Sequence, residues 1–219
     1  MKAILTDIEG TTTSIAFVHE VLFPFARERM AEFVRANADN PTVMPFLERI
    51  KGGEQMNLDQ VILRLVGWMD ADEKVTELKA LQGLIWVDGY RSGSLKGHMY
   101  PDATEYLRRW HADGLKLYVY SSGSIKAQRL LYGHSVDGDL TTLFSGYFDT
   151  NTGPKRDADS YDTIAFTMGL EPEEILFLSD VVEELDAARE AGMATCWVQR
   201  EFDAPGDHPV AKTFSDIEL

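Results

Sequence analysis

Apolar positions along the chain follow two spacing patterns, and the first covers residues 17 to 93. Apolar residues recur there every three or four positions, first at Val18, Val21, Leu22 and Phe25, and later at Val61, Ile62, Leu65 and Val66. This spacing is typical of amphipathic helices. No strand-like run in the segment is convincing, so the pattern predicts an all-helical block.

The second pattern lies mainly after this block and consists of short apolar runs that alternate with helical patterns. The strand-like runs are Ala3–Leu5 at the start of the chain and then Leu115–Tyr120, Tyr147–Asp149, Ile175–Leu178 and Ala194–Val198. Helical patterns separate the later runs, as at Ala103–His111 and Tyr161–Met168. Strands that alternate with helices predict a parallel sheet covered on both faces. The fold class is therefore α/β, with the helical block inserted after the first strand.

The change in the spacing of apolar residues also predicts the domain boundaries. Residues 1–16 and 97–219 would form the sheet-containing core, and residues 17–96 an inserted helical cap. Within the insertion, Pro24 fits the first turn of a second helix. Asp72–Glu73 is the candidate start of the long helix that carries Leu81.

Polar side chains follow three of the predicted strands where each strand ends. Asp7 and Glu9 follow the first strand, Ser121–Ser124 the next, and Ser179–Asp180 a later one, while Lys155 lies in a loop between the last two. Ligands of open α/β sheets bind outside the carboxyl ends of the strands. Asp7 and Glu9 are two residues apart and point to the same side of extended backbone, where they repel each other unless a cation or an acid/base role compensates.

Composition and charge limit the possible partners. The chain has 219 residues, 44% of them hydrophobic and 26% charged, and 21 Lys and Arg against 36 Asp and Glu give a formal charge of 21 minus 36, or −15. This balance disfavours nucleic acid and anionic membranes as partners. No apolar run approaches the roughly 20 residues that span a bilayer, and the N-terminus lacks a signal-peptide pattern. The lone Cys196 excludes a disulfide framework, and we expect a cytoplasmic protein.

The residues at the strand ends suit phosphoryl transfer. Three carboxylates from Asp7, Glu9 and Asp180, with backbone oxygens and water, would hold a hard cation such as Mg²⁺. Ser122 and Lys155 supply donors for a phosphate. Asp7 could then attack phosphorus and form an acyl-phosphate, while Glu9 protonates the departing oxygen and later takes a proton from water.

The same residues carry a family resemblance. Asp7-Ile8-Glu9-Gly10-Thr11, Ser122, Lys155 and Leu178-Ser179-Asp180 resemble, in order, the four motifs of the haloacid dehalogenase-like phosphohydrolases. The resemblance implies a Rossmann-like parallel-sheet core, an aspartate nucleophile and Mg²⁺. Glu9 stands where most phosphatases of that superfamily have a second aspartate.

Longer stretches resemble one family within that superfamily, the enolase-phosphatases (acireductone synthases) of methionine salvage. These stretches are Asp7–Thr12, Tyr118–Ser124, Gly133–Ser135, Tyr147–Thr150, Phe177–Asp180 and, in the insertion, Leu81–Gly83 with Trp86. The resemblance implies enolisation and dephosphorylation of 2,3-diketo-5-methylthiopentyl 1-phosphate by a monomer with one Mg²⁺ per subunit.

The resemblance also assigns roles to individual residues. It makes Asp7 nucleophile and metal ligand, Glu9 acid/base and part of the metal site, and Asp180 a metal ligand. Ser121, Ser122 and Lys155 would bind substrate and phosphate.

Several alternatives stay open on the sequence alone. Another small-molecule phosphatase of the superfamily would keep every core motif, and a phospho-acceptor signalling module also combines clustered acids, Mg²⁺, a hydroxyl residue and a lysine. The last acidic residue of the site could be Glu183, Glu184 or Asp186. No dedicated base for enolisation is apparent, and no residue of the insertion is assigned to the methylthio tail.

Overall fold

The structure, a computed structural model, describes residues 1–200 and 202–219. These residues contain one sheet of six strands in the order β3-β2-β1-β4-β5-β6, and every neighbouring pair is parallel. The strands are β1 Ala3–Thr6, β2 Lys116–Tyr120, β3 Phe144–Phe148, β4 Ile175–Ser179, β5 Ala194–Val198 and β6 Val210–Ala211. The α/β class with a parallel sheet is confirmed.

The first strand lies inside the sheet, between β2 and β4. Its last residue, Thr6, is in register with Val119 of β2 and Leu178 of β4. The backbone N–H of Asp7 continues the ladder by donating to the carbonyl of Leu178 at 2.8 Å. The carboxyl ends of β1, β2 and β4 therefore meet at one edge, where the order of connection changes direction and ligands of open α/β sheets bind.

Both faces of the central strands are buried. All residues of β1 and β4 are inaccessible or nearly so, which is the pattern of a parallel sheet covered on both sides. On one face the alternate residues Ala3 and Leu5 join a core with Tyr120, Tyr161 and Phe177. This packing fixes the strands whose ends carry the polar residues.

Helices follow the strands of this part of the chain. They are α6 Pro101–Ala112, α7 Ile125–Gly133, α8 Ala158–Met168 and α9 Val182–Glu190. Helix α7 begins after Ser124, whose hydroxyl accepts the Ala127 N–H, and α8 begins after Asp157, whose carboxylate accepts the Asp159 N–H. Side-chain caps of this kind satisfy backbone donors that a helix leaves free.

The chain divides into two compact units, Met1–Ile15 with Lys96–Leu219, and Ala16–Leu95. Each of these boundaries falls one residue before the predicted one. The second unit contains helices only: α1 Ile15–Phe17 leads into it, and α2 Phe23–Ala36, α3 Met44–Lys51, α4 Leu58–Asp70 and α5 Thr76–Ser92 follow. A π-helical turn, Val18–Leu22, joins α1 to α2.

Some bounds of helices and strands differ from those predicted from the sequence. The long helix α5 begins at Thr76 and not at Asp72–Glu73, because Asp72 has φ +51°, outside the helical region. Strand β3 ends at Phe148, which leaves Asp149 beyond it, and the two-residue β6 was not predicted. Pro24 does lie in the first turn of α2.

Across residues 1–200 and 202–219, no helix is both long enough and apolar enough to cross a membrane.

Candidate active site

Asp7 is buried directly beyond β1, and two donors hold one of its carboxylate oxygens. The Ile8 N–H donates to Oδ1 at 2.7 Å, and Lys155 Nζ lies 2.8 Å from the same atom. Neither of these bonds involves Oδ2. The sequence predicted that separate loops bring Asp7 and Lys155 to one place, and the structure does so.

Lys155 also contacts Glu184, so its ammonium lies between two carboxylates. Its Nζ is 2.6 Å from Glu184 Oε2, and the three side chains are only 7 to 11% exposed. Burial alone would lower the pKa of Lys155, but the charges of Asp7 and Glu184 outweigh it and raise the pKa. Burial and the Asp7 charge raise the pKa of Glu184, against the effect of Lys155. Lys155 is therefore a fixed positive charge at the strand ends.

The loop that carries Lys155 is tied down by aromatic hydroxyls. Tyr161 donates its hydroxyl to the Lys155 carbonyl at 2.7 Å, and Tyr120 donates to the Gly153 carbonyl at 2.9 Å. Both rings belong to the core cluster beneath the site. The ammonium is positioned by the backbone as well as by its two ion pairs.

Glu184 is the acidic residue that completes this group. It lies in the first turn of α9, and the Ser179 hydroxyl donates to its Oε2 at 3.0 Å. Glu183 instead reaches Arg156 at 3.8 Å on the surface, and Asp186 pairs with Arg189. Of the three acids left open by the sequence, Glu184 is the one that contacts Lys155.

Asp180 lies against the turn that follows β1. A Cβ built on Gly10 would come within 2.1 Å of Asp180 Oδ2, and Gly10 has φ +69°. Burial, then the charge of Asp7, raises the pKa of Asp180 to about 7. The Asp180 carbonyl accepts the Trp197 indole N–H at 2.9 Å. Glycine at position 10 thus permits the approach of Asp180 to the end of β1.

The turn after Asp7 is compact because one carbonyl serves several donors. The backbone N–H groups of Thr11, Thr12 and Thr13 all donate to the Ile8 carbonyl, at 3.2, 2.9 and 2.9 Å. Glu9 lies within this turn, pairs in a short parallel bridge with Thr13, and is exposed. Glu9 is thus accessible to a ligand at this edge, whereas Asp7 is buried.

The turn after β2 is held from below by buried groups. Ser121 is buried and its hydroxyl accepts the Gly123 N–H at 3.2 Å, whereas Ser122 is exposed. Gln128 donates through Nε2 to the carbonyls of Gly123 and Phe148, at 2.7 and 2.8 Å. Asp149 accepts the Ile125 N–H at the start of α7, at 3.2 Å. The sequence indicated neither role, because Gln128 lies outside every quoted motif and Asp149 was quoted only as part of the Tyr147–Thr150 stretch.

A divalent metal would have oxygen ligands at this edge. In the described residues no three Asp, Glu, His or Cys side chains form a cluster that could hold a metal by themselves. Asp7 and Asp180 nevertheless supply two carboxylates, which are near enough for the charge of Asp7 to raise the pKa of Asp180. All-oxygen donors completed by backbone and water suit Mg²⁺, which keeps several of its waters. The residues fit that cation.

Comparison with known proteins gives the family. A family model for haloacid dehalogenase-like hydrolases matches residues 1–192. The chain belongs to the haloacid dehalogenase-like hydrolases. The resemblance seen in the sequence motifs is confirmed, and so is the fold type, because solved relatives of this hydrolase share its architecture.

Two sets of relatives are most informative for this haloacid dehalogenase-like hydrolase. A curated protein of Azotobacter vinelandii named enolase-phosphatase E1 is 54% identical over 221 residues, covering 100% of this chain and 97% of the relative. One of Pseudomonas aeruginosa with the same name is 54% identical over 220 residues, covering 99% and 98%. The crystal structure of the UTR4 protein of Saccharomyces cerevisiae is 35% identical with a TM-score of 0.87, covering 99% of each chain.

Proposed function

We propose that Asp7, Glu9, Asp180 and Lys155 carry out the enolase-phosphatase reaction of methionine salvage. The chain is a phosphoric monoester hydrolase of this kind, as the full-length identity to proteins named enolase-phosphatase E1 indicates. The observation that supports these residue roles best is the buried contact of Lys155 with Asp7 at 2.8 Å. The substrate is 2,3-diketo-5-methylthiopentyl 1-phosphate, and the product is the acireductone 1,2-dihydroxy-3-keto-5-methylthiopentene.

Asp7 is the nucleophile of the first phosphoryl transfer. Lys155 and the Ile8 N–H hold Oδ1, which leaves Oδ2 to attack phosphorus. The new bond joins Oδ2 to phosphorus, and the bond between phosphorus and the substrate oxygen breaks. Glu9, as the carboxylic acid, gives its proton to the departing oxygen.

Water completes the cycle. Glu9, now a carboxylate, takes a proton from water, and the resulting hydroxide attacks phosphorus of the aspartyl-phosphate. The bond from Oδ2 to phosphorus breaks, which releases phosphate and restores Asp7. Lys155 keeps a positive charge beside the reacting group through both steps, and its contact with Glu184 prevents it from swinging away.

Asp7 and Asp180, completed by backbone oxygens and water, would hold one Mg²⁺ per subunit. Glu9, the third carboxylate expected at the metal, forms no three-carboxylate cluster with them in the described structure. When bound, the cation would offset negative charge on the phosphoryl oxygens and on the diketone. Asp180 carries a raised pKa in the protein alone, because it is buried and faces Asp7. A bound divalent cation would stabilise its ionised form.

Enolisation requires that a proton leave the carbon next to a ketone. Glu9 is the candidate carrier, because it is accessible at the strand ends and lies two residues from the nucleophile. Ser121 and Ser122 would bind the substrate and its phosphate at the N-terminal end of α7, where backbone N–H groups favour anions. The helical unit as a cap, the monomeric state and the cytoplasmic location stay predictions.

The test is incubation of the protein with the diketo phosphate and Mg²⁺, with and without chelator. Ultraviolet absorption follows the enol product, and a phosphate assay follows hydrolysis. We expect both signals, and their loss with chelator. Phosphate release from other monoesters at comparable kcat/KM, with no enol signal from the diketo phosphate, would favour a different phosphatase of the same superfamily.

A long-lived phosphoprotein without turnover would favour the remaining alternative, a phospho-acceptor signalling module. The identity to enolase-phosphatases over the whole chain argues against it.

A further inference from the structure

Arg200 reaches the turn that carries Glu9 and Gly10, although it is distant from that turn in the sequence. It follows β5, and its Nε donates to the Thr11 carbonyl at 2.8 Å. Its Nη1 lies 3.0 and 2.9 Å from the two carboxylate oxygens of Asp102, in the first turn of α6. One guanidinium therefore links α6 and the end of β5 to the turn beyond Asp7.

The guanidinium is held in one place from several sides. The side chain is 7% exposed, and its charged carbon lies 4.0 Å from the centre of the Tyr100 ring and 5.1 Å from that of Phe214. Asp102 Oδ2 also accepts the Phe214 N–H at 2.8 Å. The planar fork of arginine suits this combined stacking and hydrogen bonding, which a lysine cannot reproduce.

Burial of the Arg200 guanidinium costs free energy of folding, and its contribution to stability does not by itself explain why it is buried. Arg200 Nη2 is buried and has no hydrogen-bond partner in the described part of the chain. Buried ion pairs are often no more stabilising than apolar residues of similar volume. The hydrogen bond of this buried arginine to the Thr11 carbonyl points to a role in fixing the backbone there.

The target is connected directly to the proposed acid/base. The Tyr100 N–H donates to the Thr12 carbonyl at 3.0 Å, so both carbonyls are fixed from outside the turn. The N–H groups of Thr11 and Thr12 donate inward to Ile8. A shift of this turn would therefore move Glu9 and change the distance between Gly10 and Asp180.

We propose that Arg200, oriented by Asp102, is a positioning residue that sets the location of Glu9 and Gly10 through the Thr11 carbonyl. Its described contacts are with the Thr11 carbonyl, Asp102 and the rings of Tyr100 and Phe214, and not with Asp7. The inference rests on the proposed function, in which Glu9 transfers the protons.

The test compares Arg200→Met, Arg200→Lys and Asp102→Asn with the unaltered chain. Arg108→Met is the matched control, because Arg108 also donates to a main-chain carbonyl, that of Asp137 at 2.8 Å. Steady-state kinetics with Mg²⁺ are corrected for the folded fraction. Amide hydrogen exchange at Thr11, Thr12 and Thr13 is measured by NMR without substrate or metal.

We expect Arg200→Met to lower kcat about 100-fold with KM changed less than about threefold, since a displacement of about 1 Å costs this much. The limb of the kcat pH profile that belongs to Glu9 should shift, and exchange at Thr11 to Thr13 should accelerate. Arg200→Lys should restore part of kcat, and Asp102→Asn should resemble the lysine variant. Arg108→Met should leave kcat, pH profile and exchange unchanged.

Two outcomes would overturn the proposal. The first is a lower melting temperature in Arg200→Met with unchanged kcat per folded molecule and an unchanged pH profile, which would make Arg200 purely structural. The second is unaltered exchange at Thr11 to Thr13. Failure of the proposed function is distinguishable, since the unaltered chain would then not process the diketo phosphate, whereas the exchange comparison needs no activity.

Discussion

Gly10→Ala tests whether the approach of Asp180 to the end of β1 matters for catalysis. The new Cβ would lie 2.1 Å from Asp180 Oδ2 and 2.4 Å from its Cγ, whereas real Cβ contacts essentially never fall below 3.0 Å. Relief requires a shift of at least 3.0 minus 2.1, or about 0.9 Å, in the carboxylate or the turn. Movement of the carboxylate changes the position of Asp180 relative to Asp7, and movement of the turn displaces Glu9.

Gly10→Ala introduces both backbone strain and the collision with Asp180, and a substitution at a second glycine separates the two effects. Gly10 has φ +69°, and an alanine in this left-handed region loses roughly 1 to 2 kcal/mol of stability. Gly169 has φ +66° at the end of α8, but a Cβ added there would meet no described atom within 4 Å beyond its own turn. Gly169→Ala therefore has the same backbone strain without the collision.

The assay is kcat/KM for the diketo phosphate, with unfolding by urea measured on the same samples. We expect Gly10→Ala to lose at least as much unfolding free energy as Gly169→Ala, because it has the collision as well as the backbone strain. The kcat/KM should stay near normal in Gly169→Ala and fall about 100-fold in Gly10→Ala. That fall corresponds to about 2.7 kcal/mol of transition-state stabilisation. Equal activities of the two variants would refute the reasoning, because the collision with Asp180 would then have no consequence.

Four further predictions concern individual side chains. Asp7→Asn should abolish phosphate release while circular dichroism stays unchanged, and near-normal activity would contradict the nucleophile assignment. Lys155→Ala should lower kcat/KM severely, because no other described group contacts Asp7 Oδ1 with a full positive charge; a mild loss would mean that the phosphate is held elsewhere. In chelator, the raised pKa of Asp180 predicts stability that is present below the ordinary carboxyl value of about 4 and lost as pH rises through about 7. The unfolding free energy of the unaltered chain, relative to Asp180→Asn, should therefore fall over that interval, and saturating Mg²⁺ should reverse the fall; a pH-independent difference would contradict the assignment. Gln128→Met should raise the inhibition constant of inorganic phosphate several-fold by loosening the turn at Gly123, and an unchanged constant would show that this turn does not bind phosphate.

The site could be predicted in outline because parallel strands deliver their next residues to one edge. Asp7 and Asp180 follow the ends of apolar runs that sequence patterns reveal, and Lys155 lies in a loop between two such runs. The topology places Lys155 and Asp7 at the same edge of the sheet, but their contact also depends on the core tyrosines that hold the Lys155 loop. Periodicity also predicted an inserted segment over residues 17–96, and the bounds of the compact unit Ala16–Leu95 differ from it by one residue at each end.

The remaining features depend on geometry that no local pattern encodes. Arg200 and Asp102 are far apart in the sequence and pair only after β5 and α6 are packed. The role of Gly10 depends on its φ and on a neighbour 170 positions away (180 minus 10). The start of α5 was misplaced because Asp72 looks like an acidic first turn but adopts a left-handed conformation.

The interior position of β1 has a consequence for synthesis on the ribosome. Residues 3–6 emerge long before their partners on either side, which are residues 116–119 and 175–178. At about 5 to 20 residues per second, the second partner follows only after roughly 10 to 35 seconds. The helical unit is translated in that interval, so the strand that leads to Asp7 stays without its β4 partner until most of the chain has been synthesised.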